Sequence, residues 1–338
     1  MFDPARESYV SKVAFELAHP TDATSAPAQM FVNLAQEGLA IEDTFSVISQ
    51  NAAYIANADL VTIGFSNNPM IEFVTKQLNL ASKGKAPLPM DWSKFVGNNY
   101  VGSVQQLLDN IKGEIAASGI DEMYAGWLTL ALESYAYGCV NYMFNYPQLV
   151  NAIHQINPEA LVIIVGMYNP LKDMNVILPD KNFTAVPVGD YVQYLVDLAN
   201  FQTTVLAMIA PNTIYVDAPD VEIQYSEKDL SIMEFISLYI SAVDQLYATA
   251  DGHTYIAEKI LGALDLTVDA PKGDANRDGV VDSYDAALIL QLDVDMYEKG
   301  DIAYLLCDVS GDGIVDSYDA ALILQFDVGL ITEFPSAN

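Results

Sequence analysis

Residues Val281 to Gln291, Val-Asp-Ser-Tyr-Asp-Ala-Ala-Leu-Ile-Leu-Gln, reappear unchanged as Val315 to Gln325, an offset of 34 positions. Repetition at that period means one supersecondary unit used twice, since a single copy cannot bury its own apolar face. An acidic loop precedes each copy, running from Asp274 to Asp285 and from Asp308 to Asp319. Calcium is a hard cation that takes six to eight oxygens. A 12-residue loop supplies them from its first, third, fifth, seventh (backbone carbonyl), ninth and twelfth places, with Gly at the sixth for the turn. The first loop offers Asp274, Asn276, Asp278, Asp282 and Asp285, the carbonyl of Val280, and Gly279 for the turn. The second offers Asp308, Ser310, Asp312, Asp316 and Asp319, the carbonyl of Ile314, and Gly313. Two Ca2+ ions are therefore expected in the tail.

Each loop leads into an apolar helical run, Ala286 to Leu292 and Ala320 to Phe326, but no comparable helix enters the first loop. Compared with an EF-hand loop, the last ligand is Asp in place of Glu, and Ser310 stands where Asn or Asp is usual. Loop then helix, twice, with Asp as the last ligand, resembles a type I dockerin. The resemblance implies a cohesin domain of a scaffoldin as partner and an extracellular, cellulosome-bound location. In that family the two residues after the ninth loop position touch the cohesin, here Ser283-Tyr284 and Ser317-Tyr318. Because the pairs are identical, docking is expected in either of two orientations related by the internal two-fold.

The charge distribution agrees. The chain has 14 Lys+Arg against 45 Asp+Glu, net −31. From Gly273 onward 14 acidic and 2 basic residues leave the tail at −12 and the rest at −19, and eight of the tail acids are proposed ligands. A surface this acidic argues against nucleic acid or an anionic membrane as partner. No apolar run reaches the roughly 18 residues needed to span a bilayer. Cys139 and Cys307 are too few and too far apart for a disulfide framework and are expected to pack as small apolar groups.

The boundaries expected are a large domain over 1–266, a linker over 267–273 carrying Pro271 and Gly273, and the calcium module over 274–334. The large domain alternates short β-branched runs with amphipathic stretches, the pattern of an α/β parallel sheet covered on both faces. Strands are expected at Met30 to Leu34, Leu60 to Phe65, Ala160 to Gly166 and Thr213 to Asp217. Helices are expected at Tyr9 to Leu17, Glu42 to Asn57, Val101 to Ala117, Pro147 to Ile156, Val188 to Ala210 and Thr254 to Leu264. Pro147 suits a first helical position, and Asn157-Pro158 stops that helix.

Several junctions resemble the SGNH (GDSL-type) hydrolases, esterases and acylhydrolases on a flavodoxin-like three-layer sheet. Val32-Asn33-Leu34-Ala35-Gln36-Glu37-Gly38 is similar to the family's second block and Ala58 through Asn68 to its third. Ala248 through Glu258 is similar to the segment after the catalytic His. The resemblance implies oxyanion donors at Gly38 and at Asn68, or Asn67 if the register slips by one, and a retained acid at Asp244. Its departures are as informative. The family's Gly-Asp-Ser, at the end of a first strand upstream of Tyr9, is not in this sequence, and Tyr247 stands where the His belongs. Tyr, with an ordinary pKa of about 10, is a poor general base near neutrality. His253 falls six residues past the expected place and reads as a helix-start residue, and Ser66 lacks the second Gly of a nucleophile elbow.

A missing first strand would leave its two neighbours' amides and carbonyls unpaired. Met1 is therefore expected to be internal to a longer reading frame whose earlier part held a signal peptide, that strand and Gly-Asp-Ser. The sequence contains no phosphate loop, His-Glu-x-x-His, zinc-spaced Cys pair or dinucleotide fingerprint. An aromatic group at Tyr124, Trp127, Tyr135, Tyr137, Tyr142, Phe144 and Tyr146 is loosely helical in spacing and expected in the core. Two readings remain: a cellulosomal esterase acting on acylated plant polysaccharide, or an inactive SGNH-like domain that binds a ligand or protein while the dockerin docks.

Overall fold

Parallel strands need a crossover long enough for a helix and are apolar on both faces; the run Leu161-Val162-Ile163-Ile164-Val165 is apolar throughout, and a helix lies on the connection before it and on the one after it. The computed structural model describes residues 9–18, 32–34, 39–64, 68–264, 271–276, 279–294, 296, 303–311 and 314–335. Their elements begin with α1 (Tyr9–Ala18), α2 (Thr44–Gln50), α3 (Ala52–Ile55), β1 (Leu60–Ile63), α4 (Asn68–Ser82), α5 (Asn99–Ala117) and α6 (Glu122–Ile156). There follow β2 (Leu161–Val165), β3 (Asn175–Ile177), β4 (Ala185–Val186), α7 (Val188–Ile209), β5 (Thr213–Val216), β6 (Asp229–Ser231), α8 (Ile232–Ser241) and α9 (Ala250–Ala263). The last are α10 (Ser283–Asp293), α11 (Tyr304–Cys307) and α12 (Ser317–Asp327). Two compact units divide at Leu34 and Ala248: Leu34–Ala248, and Met1–Asn33 with Thr249–Asn338.

The Leu34–Ala248 unit is mixed α/β. A parallel sheet runs β1-β2-β5, with Leu60 opposite Leu161 and Val162 opposite Thr213. A second small sheet, β4-β3-β6, is antiparallel on one side of β3 and parallel on the other. Central β2 is buried from Val162 to Val165. Helix α6 forms the core's spine and is about 52 Å long at 1.5 Å per residue. Its Tyr135, Tyr137, Tyr142 and Tyr146 are all buried, as the aromatic spacing leads one to expect. The Tyr146 hydroxyl donates to the Ile63 carbonyl at 2.8 Å and so ties the helix to β1. Asn157 ends α6 and anchors the turn before β1, its side chain donating to the carbonyls of Ile55 (3.0 Å) and Ala58 (2.9 Å).

Several expected boundaries are corrected. Pro147 lies inside α6, which starts at Glu122. The buried face is continuous across it, from Tyr142 and Tyr146 to Leu149, Val150 and Ile153, so packing outweighs the hydrogen bond that proline forfeits. The helix expected over Glu42 to Asn57 breaks at Asn51, whose side chain donates to the Val47 carbonyl at 2.8 Å and competes with the helical ladder. Of the strand expected at Met30 to Leu34, residues 32–34 are not in a strand and the rest lies outside the described residues. The linker at 267–273 is described only from Pro271.

In the second unit α1 packs on α9. Thr249 caps α9 by accepting the Gly252 amide at 3.1 Å. One turn on, His253 accepts the Tyr9 amide through Nδ1 at 3.4 Å, with the two rings stacked 6.0 Å apart. Burial, and then the nearby Lys12 ammonium, push His253 down to about 4 from its ordinary 6.5. A depressed histidine contributes stability that is complete above its unfolded pKa and is lost as pH falls through the folded one. Denaturation between pH 7 and 4 is expected to show stability falling below about pH 6.5. In His253→Phe that slope should flatten by up to one proton, about 1.4 kcal/mol per pH unit. An unchanged slope would show that His253 is not buried neutral.

Candidate metal loops and docking surface

The carboxylate closing each loop is also the third residue of the helix that follows. Asp285 accepts the amides of Ala275 (2.8 Å) and Asn276 (3.1 Å) through Oδ1, and the Asp282 amide (2.9 Å) through Oδ2. Asp282 in turn accepts the Tyr284 amide at 2.7 Å, and it also accepts the Asp285 amide, which completes a capping box at the start of α10. The second loop repeats this. Asp319 accepts the amides of Ser310 (2.9 Å) and Asp316 (3.0 Å), and Asp316 accepts that of Tyr318 (2.7 Å). At the other end of each loop, Asp274 accepts the Gly279 amide at 2.9 Å and Asp308 the Gly311 amide at 2.7 Å.

Asp274, Asp285 and Asp319 have no solvent exposure. Burial pushes the Asp285 carboxyl above its ordinary range against the pull of its backbone bonds, and the neighbouring Asp274 adds to the rise. Asp319 is raised the same way, with Asp308 as its like-charged neighbour. Inward-turned carboxylates, with an Asn or Ser oxygen beside them, are the donor types a hard divalent cation takes, though among the described residues no three acidic side chains gather at metal-holding distance. Asp278 and Asp312 lie outside the described residues. Val280 and Ile314, whose carbonyls hold the seventh places, are both exposed.

The repeat is visible in the packing. Ala286, Leu288 and Ile289 share one core with Ala320, Leu322 and Ile323, residue for residue at the repeat offset, with Ala275 matched by Val309 and Val281 by Val315. The buried Cys307 thiol donates to the Ala303 carbonyl at 3.3 Å, and burial pushes its pKa up, so it packs as an inert group. Short α11 is pinned to the first loop: Gly273 donates to Leu306 at 2.7 Å and Ala303 to Ala275 at 2.8 Å. A Cβ on Gly273, at φ +99°, would stand 2.9 Å from Val281, so only glycine fits there. Outside this core Ser283, Tyr284, Ser317 and Tyr318 are all exposed, each pair in the first turn of its helix.

Of the hydrolase-like candidates, the short 3-10 turn Val243–Leu246 that carries Asp244 packs on α4, the helix that begins at Asn68. Asn68 is the exposed first residue of α4, following β1, while Gly38, Asn67 and Ser66 lie outside the described residues. Asp244 is exposed, and its side chain makes no hydrogen bond among the described residues. Tyr247 donates its hydroxyl to the Glu72 carboxylate on α4. Glu72 went unremarked in the sequence. Its one available signal was the helical spacing of Met70, Ile71, Val74 and Leu78, which marks α4 and puts Glu72 in its second turn.

Two loop-helix units share one core, with carboxylates turned inward and matched Ser-Tyr pairs outward. Residues 272–326 match the family model for the dockerin type I domain. A type I dockerin implies a cohesin partner and calcium in its loops. No curated protein matches the chain. No helix among the described residues is long and apolar enough to cross a membrane.

Since each closing carboxylate serves one loop, Asp285→Ala and Asp319→Ala are each expected to lower calcium stoichiometry from two ions to one in calorimetric titration. Two ions retained in either variant would show that the replaced carboxylate is not a ligand.

Proposed function

We propose that the chain is a cellulosome-type component that docks to a cohesin through residues 272–326 with calcium in both loops, outside the cell, and carries the Leu34–Ala248 unit as cargo. The observation that carries this reading is the pairing of each exposed Ser-Tyr with a capping box made from loop carboxylates. Asp282 with Asp285, and Asp316 with Asp319, would hold the ion, whose positive charge would offset that of the buried carboxylates. The same residues cap the helix that presents Ser283-Tyr284 or Ser317-Tyr318. Metal binding is then folding free energy, and chelation dissolves the docking surface.

Identical pairs on two related helices allow either helix to lead. Replacing one pair, Ser283→Ala with Tyr284→Ala or Ser317→Ala with Tyr318→Ala, is expected to leave cohesin affinity within about tenfold of the parent. Replacing both should abolish binding, as should excess chelator. Binding that survives chelation, measured by surface plasmon resonance, would overturn the calcium-dependent reading.

For the cargo, the non-catalytic SGNH-like reading is favoured. Its support is Tyr247, which stands at the histidine's place and spends its hydroxyl on Glu72, apart from an exposed Asp244. The esterase reading, with acylated polysaccharide as substrate, draws support from the parallel order β1-β2-β5 and from Asn68 at the end of the β1 connection. Tyr247→His is expected to leave hydrolysis of p-nitrophenyl acetate at background. A rise of orders of magnitude would favour the esterase.

A further inference from the structure

At the carboxyl ends of β2 and β5, a groove of about 410 Å³ opens between the residues following β2 and helix α7. Ligands of open parallel sheets bind outside the carboxyl ends of the strands, and the size suits a small organic ligand. The groove is built rather than left over. Asn200 on α7 clamps the backbone that leaves β2, accepting the Met167 amide and donating to the Met167 carbonyl, both at 2.8 Å. Gly166 lets the Tyr215 ring in: a Cβ there would stand 2.4 Å from the Tyr215 hydroxyl. That hydroxyl donates to Asp217 Oδ1 at 3.2 Å. Burial first, then Asp217 and Asp197, push Tyr215 up, so it stays a protonated donor with two carboxylates beside it.

The groups lining the groove are of mixed kind. Asp217 and Asp197 each keep one carboxylate oxygen outside the described bonds to Tyr215 and Gln193. Lys172, paired with Asp220 at 3.3 Å, brings ammonium protons to the same lining. Phe201 on α7 is 63% exposed and adds a bare aromatic ring. Two carboxylates disfavour an anion, and the ammonium disfavours a polycation. What satisfies acceptors, donors and an aromatic face together is a neutral polyhydroxylated ring, whose hydroxyls both donate and accept and whose C–H face packs on an arene.

We propose that this groove is a binding site for a neutral saccharide, with Asp217 and Asp197 accepting from its hydroxyls, Lys172 donating, and Phe201 packing on the ring. The site is independent of the docking module and of any hydrolytic chemistry.

The test is calorimetric titration of the full chain, in calcium, with cellotetraose and with xylotetraose. Saturable binding of at least one is expected. Phe201→Ala and Asp217→Asn, both at exposed positions, should each weaken it about tenfold or more. Phe183→Ala, at an exposed aromatic that does not line the groove, should leave it unchanged. Failure of both sugars to bind up to about 10 mM, a free energy below roughly 3 kcal/mol, would overturn the proposal. Binding that survives both groove substitutions, or tighter binding of tetragalacturonate or spermidine, would equally overturn it. Melting curves of each variant confirm that the fold is kept. None of these outcomes bears on cohesin docking.

Discussion

Asp285 and Asp319 are the groups on which the C-terminal module depends, because each carboxylate serves three structures at once. It closes its loop by accepting loop amides, starts the following helix through a capping box, and faces the other carboxylates of the loop. The first two roles favour the charged form and the third opposes it. Burial and like charge win that contest, since both groups are raised despite their backbone bonds. Ionised carboxylates are costly to bury without a counter-charge. In a module with net −12 and a core of small and aliphatic side chains, a bound cation would offset that cost, which is the basis of the calcium-dependent docking proposed above. On the proposed reading, metal and partner recognition would meet at the helix start: the carboxylates proposed as ligands form the cap, and the residues after the cap are the exposed pair.

The Leu34–Ala248 unit rests on another device, polar side chains that reach across from helices to satisfy backbone at strand ends. Tyr146 takes up the Ile63 carbonyl at the end of β1, Asn157 the carbonyls before it, and Asn200 both backbone groups of Met167 after β2. Chain leaving a parallel sheet loses its ladder partners, and unpaired buried amides and carbonyls are costly. These side chains hold the strand ends rigid, which is what a site at that edge of the sheet requires.

How much of this was legible in the sequence follows the range of the interactions. The loops and the helices α10 and α12 were readable because ligands, caps and exposed pairs sit within twelve residues of one another and occur twice. The strands at Leu60, Leu161 and Thr213 were readable from unbroken apolar runs. The full length of α6 was not, because Pro147 is a local stop signal that only packing along the buried face overrides. Nor was the β4-β3-β6 sheet, with strands of two and three residues, too short for a period-two pattern. The Tyr247–Glu72 bond spans 175 positions and the Asn200–Met167 bonds span 33, so no local signal announces either.

That bond also bears on what the large unit can do. A general base must hold a free lone pair toward the proton it takes and have a pKa near the working pH. Tyr247 does the reverse: its hydroxyl is a donor already engaged with the Glu72 carboxylate. On the SGNH-like reading proposed above, hydrolysis would take a change of residue at 247 and release from Glu72, with Asp244 exposed and making no described hydrogen bond to that side chain. Binding asks for none of these changes. An acidic, rigidly clamped α/β unit held on a scaffold can contribute by retaining a neutral ligand, and the groove at the ends of β2 and β5 has its donors, acceptors and aromatic ring already in place.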